Sequence, residues 1–388
     1  MRSHTDKLHF LLLLLAFLAA LALVLLQLSH RDAKANLAGT KPLPLKYASN
    51  FSVHEAEGVK ILTVHNPWPG SSADYPYVLA REGQAVPEAL KDLPLIRVPL
   101  KRVITMSTTD LGFLKVLGGL DALVGISSLD LVNTPEVRER IESGRIAEVG
   151  YDQNLDLEKV VALAPEAVLA YAIGTSSEES HVKLRRAGIQ VVLNASHLES
   201  SPLGRCEWIK FVALLLGREK EADKLFAEIT ARYRKAAELC SQVPYRPTVF
   251  LGAPFKGTWY MAGGKSFMAQ LLADAGGRYL WEEDPGSTVQ PLDFEAVYAK
   301  AAMGDFWLNP SDWKSLGEGK AQDERFALFR AFGEKKVYNN NLRLNGSGGN
   351  DCWESGIVAP DLLLMDLVAI LHPERVPDHA LYFFRHLQ

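Results

Sequence analysis

An internal repeat is the feature that most constrains the fold of this 388-residue chain. The segment QNLDLEKV at 153–160 matches QPLDFEAV at 290–297, and an Ala-rich helical segment and a β-rich segment follow each copy. Upstream of each copy lie a strand candidate, a helix candidate and a Gly-Gly pair, at 118–119 and at 276–277. A pattern that recurs in the same surroundings predicts two lobes of the same architecture.

Strand candidates alternate with helix candidates in both halves, which favours parallel α/β lobes. Between the halves a single helix is predicted from Glu219 to about Leu239, because apolar side chains recur there at helical spacing. With 48% apolar residues, the chain can bury the cores of two domains. We therefore predict an N-terminal lobe at 101–217, a connecting helix at 218–243 and a C-terminal lobe at 244–388.

The N-terminus is predicted to target the chain to a membrane. A nearly unbroken apolar run extends from Phe10 to Leu26 and offers no polar face, unlike a buried core helix. Residues 1–35 therefore form a signal peptide or an N-terminal membrane anchor. Ala33-Lys34-Ala35 fits a signal peptidase site, whereas a run at 10–28 is long enough to stay in the bilayer as an anchor. Both alternatives are open.

Residues 36–100 are interpreted as a tether and an N-terminal extension. The polar, Pro-containing stretch up to about Tyr47 has no periodicity and is typical of a tether. Val59–Val64 is a strand candidate, and the preceding Glu57-Gly58 indicates a hairpin turn. The extension is therefore predicted to contain β-structure.

Composition and motifs exclude several functions. The net charge is only -4 and no basic stripe occurs, so a nucleic acid partner is not expected. The three cysteines, Cys206, Cys240 and Cys352, fit neither a disulfide framework nor a metal site. Gly263-Gly264-Lys265-Ser266 lacks the first glycine of a phosphate-binding loop, and no catalytic motif is present. Neither a catalytic residue, a metal ligand nor an intrinsic cofactor is predicted.

Aromatic residues lie in predicted loops at the ends of strands. In open α/β sheets ligands bind at the carboxyl ends of the strands, so aromatics from both lobes that meet in one cleft suit a large flat ligand. A single aromatic in such a loop is equally compatible with a place in the core. Arg343 is a candidate for binding a carboxylate or phosphate, or is a solvated surface residue. The candidate aromatics are Tyr151, Tyr171, Trp259, Tyr260, Trp281 and Trp353.

Each copy of the repeat carries a glutamate, Glu158 or Glu295, in the first turn of a predicted helix, with Asp156 or Asp293 at the N-cap. The helix dipole favours a carboxylate there, which is a sufficient structural reason. The functional alternative is that one exposed acidic group on each lobe docks into a basic socket of a two-subunit membrane partner.

In its order of motifs the sequence resembles the iron-chelate and vitamin B12 class of ABC-transporter solute-binding proteins. The matching stretches are RVITMSTTDLGFLKVLGGLDALVGIS at 102–127, NLDLEKVVALAPEAVLA at 154–170, LRRAGIQVVL at 184–193, the long helix, and TWYMAGGKSFMAQLLADAGG at 258–277. The resemblance spans most of 102–373. The extension before Leu100 and the glycine-rich segment leading to Trp353 depart from it, and no lipobox cysteine follows the apolar run.

The resemblance implies two Rossmann-like lobes joined by one rigid helix, with a ligand held between them. It implies a receptor, not an enzyme, located in the periplasm or otherwise outside the cytoplasm. Its ligand would be a chelate of iron or cobalt, such as a ferric siderophore, haem or a corrinoid. Glu158 and Glu295 match the docking glutamates that pair with an ABC permease dimer and its ATPase subunits. The alternatives are a membrane-anchored enzyme, which would need clustered Cys or His ligands, and a membrane-anchored sensor on the same scaffold.

Overall fold

The computed structural model describes residues 39–174, 176 and 179–388. The predicted signal peptide or anchor at 1–35 lies outside these residues. Within them, no helix combines the length and the apolar character needed to cross a membrane.

An N-terminal sheet precedes the two lobes. Its described strands are ordered β1 to β5 and are antiparallel, except that β5 runs parallel to β4. Glu57 and Gly58 adopt positive φ angles of 47° and 85° in the hairpin between β2 and β3, as the predicted turn requires. The strands are β1 Lys41–Leu43, β2 Phe51–Ala56, β3 Val59–His65, β4 Asp74–Arg81 and β5 Leu95–Val98.

The N-lobe follows and contains a parallel sheet of order β10-β9-β6-β7-β8. Its strands are β6 Val103–Thr105, β7 Leu123–Ile126, β8 Ala147–Glu148, β9 Ala167–Ala170 and β10 Val191–Leu193. Its helices are Thr109–Val116, Pro135–Glu142, Leu157–Leu163, Ser180–Arg186 and Pro202–Leu216. One hydrophobic core joins this lobe to the inner face of the N-terminal sheet, where Phe51 packs against Trp208 and Phe211.

The C-lobe contains a sheet of order β13-β11-β15-β16-β17, parallel except for its last strand, and a two-stranded antiparallel sheet of β12 and β14. Its strands are β11 Thr248–Leu251, β12 Trp259–Ala262, β13 Arg278–Tyr279, β14 Val289–Leu292, β15 Phe306–Leu308, β16 Val337–Asn339 and β17 Arg385–His386. Its helices are Phe267–Asp274, Phe294–Ala301, Leu316–Gln322, Arg330–Gly333, Asp351–Glu354 and Pro360–Leu371. All three cysteines of the chain lie within the described residues as buried free thiols.

The predicted repeat is present as an equivalent arrangement in both lobes. The helices that follow Asp156 and Asp293 lead into β9 and β15, which pair with β6 and β11 respectively. Both Gly-Gly pairs also end helices in the same way: the N–H of Gly119 bonds to Leu114 O at 2.7 Å, and that of Gly277 bonds to Leu272 O at 2.8 Å. The predicted α/β fold of two lobes is confirmed.

The connecting helix spans Glu219–Glu238 and belongs to both cores. Phe226 and Ile229 are buried in the core of the N-lobe, whereas Tyr233 and Ala236, one to two turns further on, are buried in the core of the C-lobe. Because a single helix fills part of each core, bending it would disrupt packing on both sides. The lobes therefore share one rigid element.

Two buried glutamates, Glu207 in the last helix of the N-lobe and Glu199 just before that helix, bind the segment before β2. Glu207 is fully buried and accepts the N–H groups of residues 46–48 at 2.7–3.0 Å. Glu199 accepts the N–H groups of residues 49 and 50 at 2.9–3.1 Å, and the Nε1–H of Trp208 at 3.0 Å. The prediction of a structureless tether up to Tyr47 is therefore wrong from Lys41 onward, since β1 and these carboxylates order it.

The lobes are also tied together by the C-lobe segment 345–354. Glu354 is fully buried and accepts the N–H of Thr134 at 2.6 Å and that of Asn133 at 2.8 Å, and the Thr134 hydroxyl donates to it as well. From the same segment, the Asn345 Nδ2 group donates to the carbonyl oxygens of residues 130 and 132 at 2.7 and 2.9 Å. Buried hydrogen bonds to a carboxylate thus join the lobes beside the cleft.

Candidate functional site

The cleft between the lobes is bordered by the carboxyl ends of their parallel strands. Residues 106–109 follow β6 and residues 194–197 follow β10, while residues 309–312 follow β15 and residues 340–341 follow β16. These four loops line three adjacent cavities of about 240, 580 and 210 Å³, which are called here the apolar, the amide-rich and the polar cavity. Ligands of open α/β sheets bind at this edge.

Trp353 stands between the apolar and the amide-rich cavity and lines both. It is 49% exposed, although most tryptophan and phenylalanine residues in the described part of the chain are buried. Its carbonyl oxygen accepts the Thr109 hydroxyl of the N-lobe at 2.9 Å, so contacts from both lobes fix its position. A fixed, half-exposed indole is a suitable platform for a flat or apolar ligand.

The apolar cavity contains one cation, Arg205. Its guanidinium stacks over the ring of Phe267 at 4.1 Å, while Nε and Nη2 donate to the carbonyl oxygens of Glu199 and His197 at 3.1 and 2.8 Å. Burial lowers the pKa of Arg205 to about 10, and the carboxylate of Glu199 opposes this shift, so the side chain stays charged at neutral pH. The remaining lining is largely apolar and includes Pro202, Ile357, Pro360 and Leu363.

The polar cavity lies within the N-lobe and ends on a buried carboxyl group. Asp110 is 1% exposed and accepts the Asn194 Nδ2–H at 2.6 Å. Burial raises the pKa of Asp110 to about 7, which the hydrogen bond from Asn194 partly offsets. Tyr171 and His197 face the same cavity with their rings 6.4 Å apart, and burial, followed by the charge of Arg205, lowers the pKa of His197 to about 4. His197 is therefore neutral at physiological pH.

The amide-rich cavity belongs mainly to the C-lobe. Asn309, Asn340, Asn341 and Asn350 line it together with Asp312. Within the described part of the chain, the side-chain oxygens of Asn309 and Asn341 have no hydrogen-bond partner. These two oxygens are buried, so the polar groups offered to a ligand are the other amide and carboxylate groups of the lining, beside the aromatic platform of Trp353.

The predicted cleft aromatics have different positions. Trp353 and Tyr171 line the cavities, and the side chain of Tyr151 contributes to the electrostatic surroundings of Tyr171. Tyr260 lies on the outer face of the two-stranded sheet β12–β14 and is 52% exposed. A role of these residues in binding stays a prediction.

Trp259 is not a cleft residue, which corrects the prediction. The segment around it is strand β12, not a loop, and alternation along the strand turns Trp259 and Met261 inward and Tyr260 outward. Trp259 is fully buried, stacks on Trp307 at 5.7 Å and donates from Nε1 to Leu251 O at 2.8 Å. Trp281 is also buried, at 6% exposure.

Arg343 also differs from its predicted role. Its Nε donates to Asp351 at 2.6 Å, and its guanidinium lies over the ring of Tyr382 at 4.4 Å. Arg343 lines a neighbouring recess with Asn133 and Thr134 instead of the cavities around Trp353. Because Asp351 already neutralises it, Arg343 is a poor candidate for binding an anionic ligand.

Glu158 and Glu295 are both exposed, and the predicted N-caps next to them are present. Asp156 accepts the N–H of Lys159 at 2.9 Å, and Asp293 accepts that of Ala296 at 2.7 Å. Since each capped helix leads into a parallel strand, its N-terminus lies at the carboxyl edge of the sheet, which is the edge that borders the cleft. Glu295 has a long contact of 3.4 Å with Arg325. One exposed carboxylate thus lies at the equivalent place on each lobe.

Sequence reasoning missed Asp110, His197, Arg205 and Phe267. Arg205 and Asp110 are the charged residues of the apolar and the polar cavity, respectively, but neither stands in a recognisable motif. Among the described residues, no group of three or more His, Cys, Asp and Glu side chains is arranged to hold a metal ion. The donors present are suited to the organic part of a ligand.

Comparison with known proteins gives a family match over residues 103–340, to the model described as periplasmic binding protein. A lipoprotein of Methanocaldococcus jannaschii with no characterised function is 25% identical over 362 residues, which cover 88% of this chain and 84% of the relative. An ABC transporter substrate-binding lipoprotein of Bacillus subtilis, also uncharacterised, is 25% identical over 47% of this chain and 55% of its own length.

A solved structure supports the same fold. The periplasmic heme-binding protein RhuT from Roseiflexus sp. RS-1 superposes with a TM-score of 0.53 at 20% identity, covering 71% of this chain and 99% of RhuT. The match to the archaeal lipoprotein is more extensive along this chain than the match to RhuT.

Proposed function

Because the chain belongs to the periplasmic binding protein family and is a substrate-binding protein of the ABC-transporter class, not an enzyme, we propose that it captures a metal chelate in the cleft between its lobes and delivers it to a membrane permease. The resemblance inferred from the sequence is confirmed at the level of the family. The cargo and the docking residues are the proposed part.

The position of Trp353 is the observation that carries the choice of cargo. A half-exposed indole held by both lobes separates a cavity of about 240 Å³ with apolar walls from one of about 580 Å³ with amide walls. A bare ion needs a compact set of charged ligands, whereas these cavities offer surface for a large organic molecule with apolar and polar sides. The heme-binding function of the structural neighbour RhuT is compatible with such a ligand.

Titration with a panel of chelates tests the cargo. Ferrioxamine B, a ferric catecholate, haemin, cyanocobalamin and, as a bare oxoanion, molybdate are added separately while tryptophan fluorescence is recorded. We expect saturable quenching by at least one chelate and none by molybdate, and Trp353→Phe removes most of the change. Trp68→Phe is the matched control, because Trp68 packs against Tyr75 in the N-terminal sheet. Binding of molybdate alone would contradict the proposal.

Delivery to the permease is assigned to Glu158 and Glu295. Two carboxylates at equivalent places on the carboxyl edges of both sheets suit a partner with two equivalent basic sockets. The contact between Glu295 and Arg325 is exposed and long, so it competes weakly with such a partner.

Reversal of both charges tests docking. Glu158→Arg with Glu295→Arg is expected to abolish chelate uptake by the native host when it replaces the wild-type chain, while chelate affinity in vitro stays within twofold. Glu228→Arg, an exposed change on the connecting helix, is the control for added positive charge and should leave uptake intact. Normal uptake by the double variant would refute the assignment.

The proposed site of action is outside the cytoplasmic membrane. Two observations support it: the apolar run at 10–26 of the sequence, and the naming of relatives as lipoproteins. Mass spectrometry of the exported chain determines whether cleavage occurs after Ala35 or the segment at 10–28 is retained as an anchor.

A further inference from the structure

A basic group and an acidic group, the guanidinium of Arg205 and the carboxyl group of Asp110, face adjacent cavities of the cleft without contacting each other. Arg205 faces the apolar cavity and Asp110 faces the polar cavity. Thr109, Ser196 and His197 line both cavities, so the cavities meet at these residues.

Arg205 is held in place without an ion-pair contact among the described residues, although the carboxylate of Glu199 is near enough to raise its pKa. Its two donor contacts are to backbone carbonyls, and one ring, Phe267, covers one face of the guanidinium. The described residues give it no carboxylate partner within ion-pair distance. A largely buried guanidinium beside apolar walls gains strongly from an anion that approaches its remaining edge, because the surrounding medium screens the charges weakly.

Asp110 likewise has no ion-pair partner among the described residues. One carboxyl oxygen accepts a hydrogen bond from Asn194, whose own side-chain oxygen accepts the N–H of Ser196 at 2.8 Å. Among the described residues no cation pairs with Asp110. Burying a carboxyl group that is only 1% exposed costs free energy, and a hydrogen-bond donor that enters the cavity and binds its oxygens lowers that cost.

The remaining lining of the polar cavity suits an ammonium group. Ser107, Thr109 and Ser196 supply hydroxyl oxygens, neutral His197 supplies a ring nitrogen, and Tyr171 presents a half-exposed ring, which attracts cations. Arg205 and His197 are the other basic groups near this cavity; the first bonds to the His197 carbonyl oxygen and the second is uncharged at neutral pH. A three-donor cation that reaches Asp110 therefore has one charged basic neighbour, Arg205, whose charge an anionic group on the same ligand would offset.

We propose that the cleft recognises an amphoteric chelate, whose ammonium group enters the polar cavity against Asp110 and whose carboxylate pairs with Arg205 in the apolar cavity. This inference rests on the proposed function and narrows its ligand to chelates that carry both groups close together. Residues 109, 196 and 197 lie between the two groups. Haem, which carries carboxylates but no ammonium, satisfies only one of the two subsites.

Derivatives of one chelate test the two subsites separately. Ferrioxamine B ends in an ammonium group, its N-acetyl derivative is neutral there, its N-succinyl derivative ends in a carboxylate, and its γ-glutamyl derivative carries both. We expect the γ-glutamyl derivative to bind most tightly. Asp110→Asn should lower the affinity for the ammonium-bearing derivatives at least tenfold and leave the affinity for the N-succinyl derivative unchanged. Arg205→Gln should lower the affinity for the carboxylate-bearing derivatives at least tenfold and leave the affinity for ferrioxamine B unchanged.

Three controls keep the outcome decisive. Arg205→Lys retains the charge and should restore part of the affinity for carboxylate-bearing forms, and Glu228→Gln should change nothing. Circular dichroism and thermal melting verify that each variant is folded. Equal loss of affinity for all four derivatives, or tight binding of the neutral form, overturns the inference while leaving the proposed function intact. Tightest binding of haemin, unaffected by Asp110→Asn, overturns it too, and the absence of any chelate binding refutes the proposed function itself.

Discussion

Removing the carboxylate of Glu354 is expected to weaken both the fold and the cleft. Glu354→Ala removes the acceptor of the backbone N–H groups of Asn133 and Thr134. Both N–H groups lie in the interface between the lobes. A buried donor left unsatisfied costs about 1–3 kcal/mol, so two of them cost about 2–6 kcal/mol. The recess lined by Asn133 and Thr134 adjoins this contact, so water can enter and hydrogen-bond the two N–H groups. We therefore expect a loss of about 2–4 kcal/mol in the free energy of unfolding, the lower half of that range.

Part of this loss should appear as weaker ligand binding. Trp353 directly precedes Glu354, and its carbonyl oxygen contacts Thr109 of the N-lobe, so release of Glu354 loosens the aromatic platform as well. If the segment 345–354 detaches in a fraction of molecules, the apparent dissociation constant rises by the inverse of the fraction that stays attached.

Urea unfolding and chelate titration of the same samples measure both effects. Glu354→Gln is the isosteric comparison, and its amide nitrogen must face one of the N–H donors, so we expect a loss of similar size. Glu228→Ala, on the exposed face of the connecting helix, should change the free energy of unfolding by no more than about 0.5 kcal/mol. An unfolding free energy and affinity of Glu354→Ala equal to the wild type would refute the view that this carboxylate ties the lobes together.

Three further predictions concern other parts of the molecule. Glu207→Ala orphans three backbone N–H groups of residues 46–48 and should destabilise the chain by about 3 kcal/mol or more, with faster proteolysis before β2 in a timed digest; unchanged digestion would contradict this. The pKa of Asp110 is raised from 3.8 to about 7, so the folded protein binds this proton more tightly than the unfolded chain does. The resulting stabilisation is fully present below about pH 4 and is lost as the pH rises through 7, by about 4 kcal/mol in total. Asp110→Asn should remove this slope from a series of urea melts at pH 4–8, and a parallel profile would disprove it. Gly112→Ala brings a Cβ within 2.3 Å of the Glu354 carbonyl oxygen and should weaken chelate binding, whereas Gly333→Ala, in open space, should not.

The sequence was sufficient for the repeated framework. Asp156 and Asp293 are helix N-caps for local chemical reasons, and local patterns of this kind placed the repeat helices and the strands that follow them. The type of fold followed from their alternation and from the long helix between them.

The cleft could not be predicted to the same degree, because contacts between residues far apart in the sequence determine which side chains line it. The sequence predicts a loop at Trp259, because the four-residue strand β12 is too short for its alternation to be recognised. Only the pairing of β12 with β14 turns the indole inward. Arg205 and Asp110 are single residues without a motif, and they reach the cavities only after the loops after β6 and β10 are brought together. Glu354 lies 220 residues from Thr134, a pairing that no local pattern indicates.

The fastening of residues 46–50 by Glu199 and Glu207 has a consequence for the order of folding. These contacts join residues that are 149–161 positions apart, so the N-terminal sheet cannot complete its attachment until the helix Pro202–Leu216 has formed. Closing a loop of that length is entropically costly and slow, and contacts of such high sequence separation generally form late. The strands of the N-terminal sheet are thus among the last to reach their final packing, and until then the inner face of this sheet, with Phe51, remains exposed.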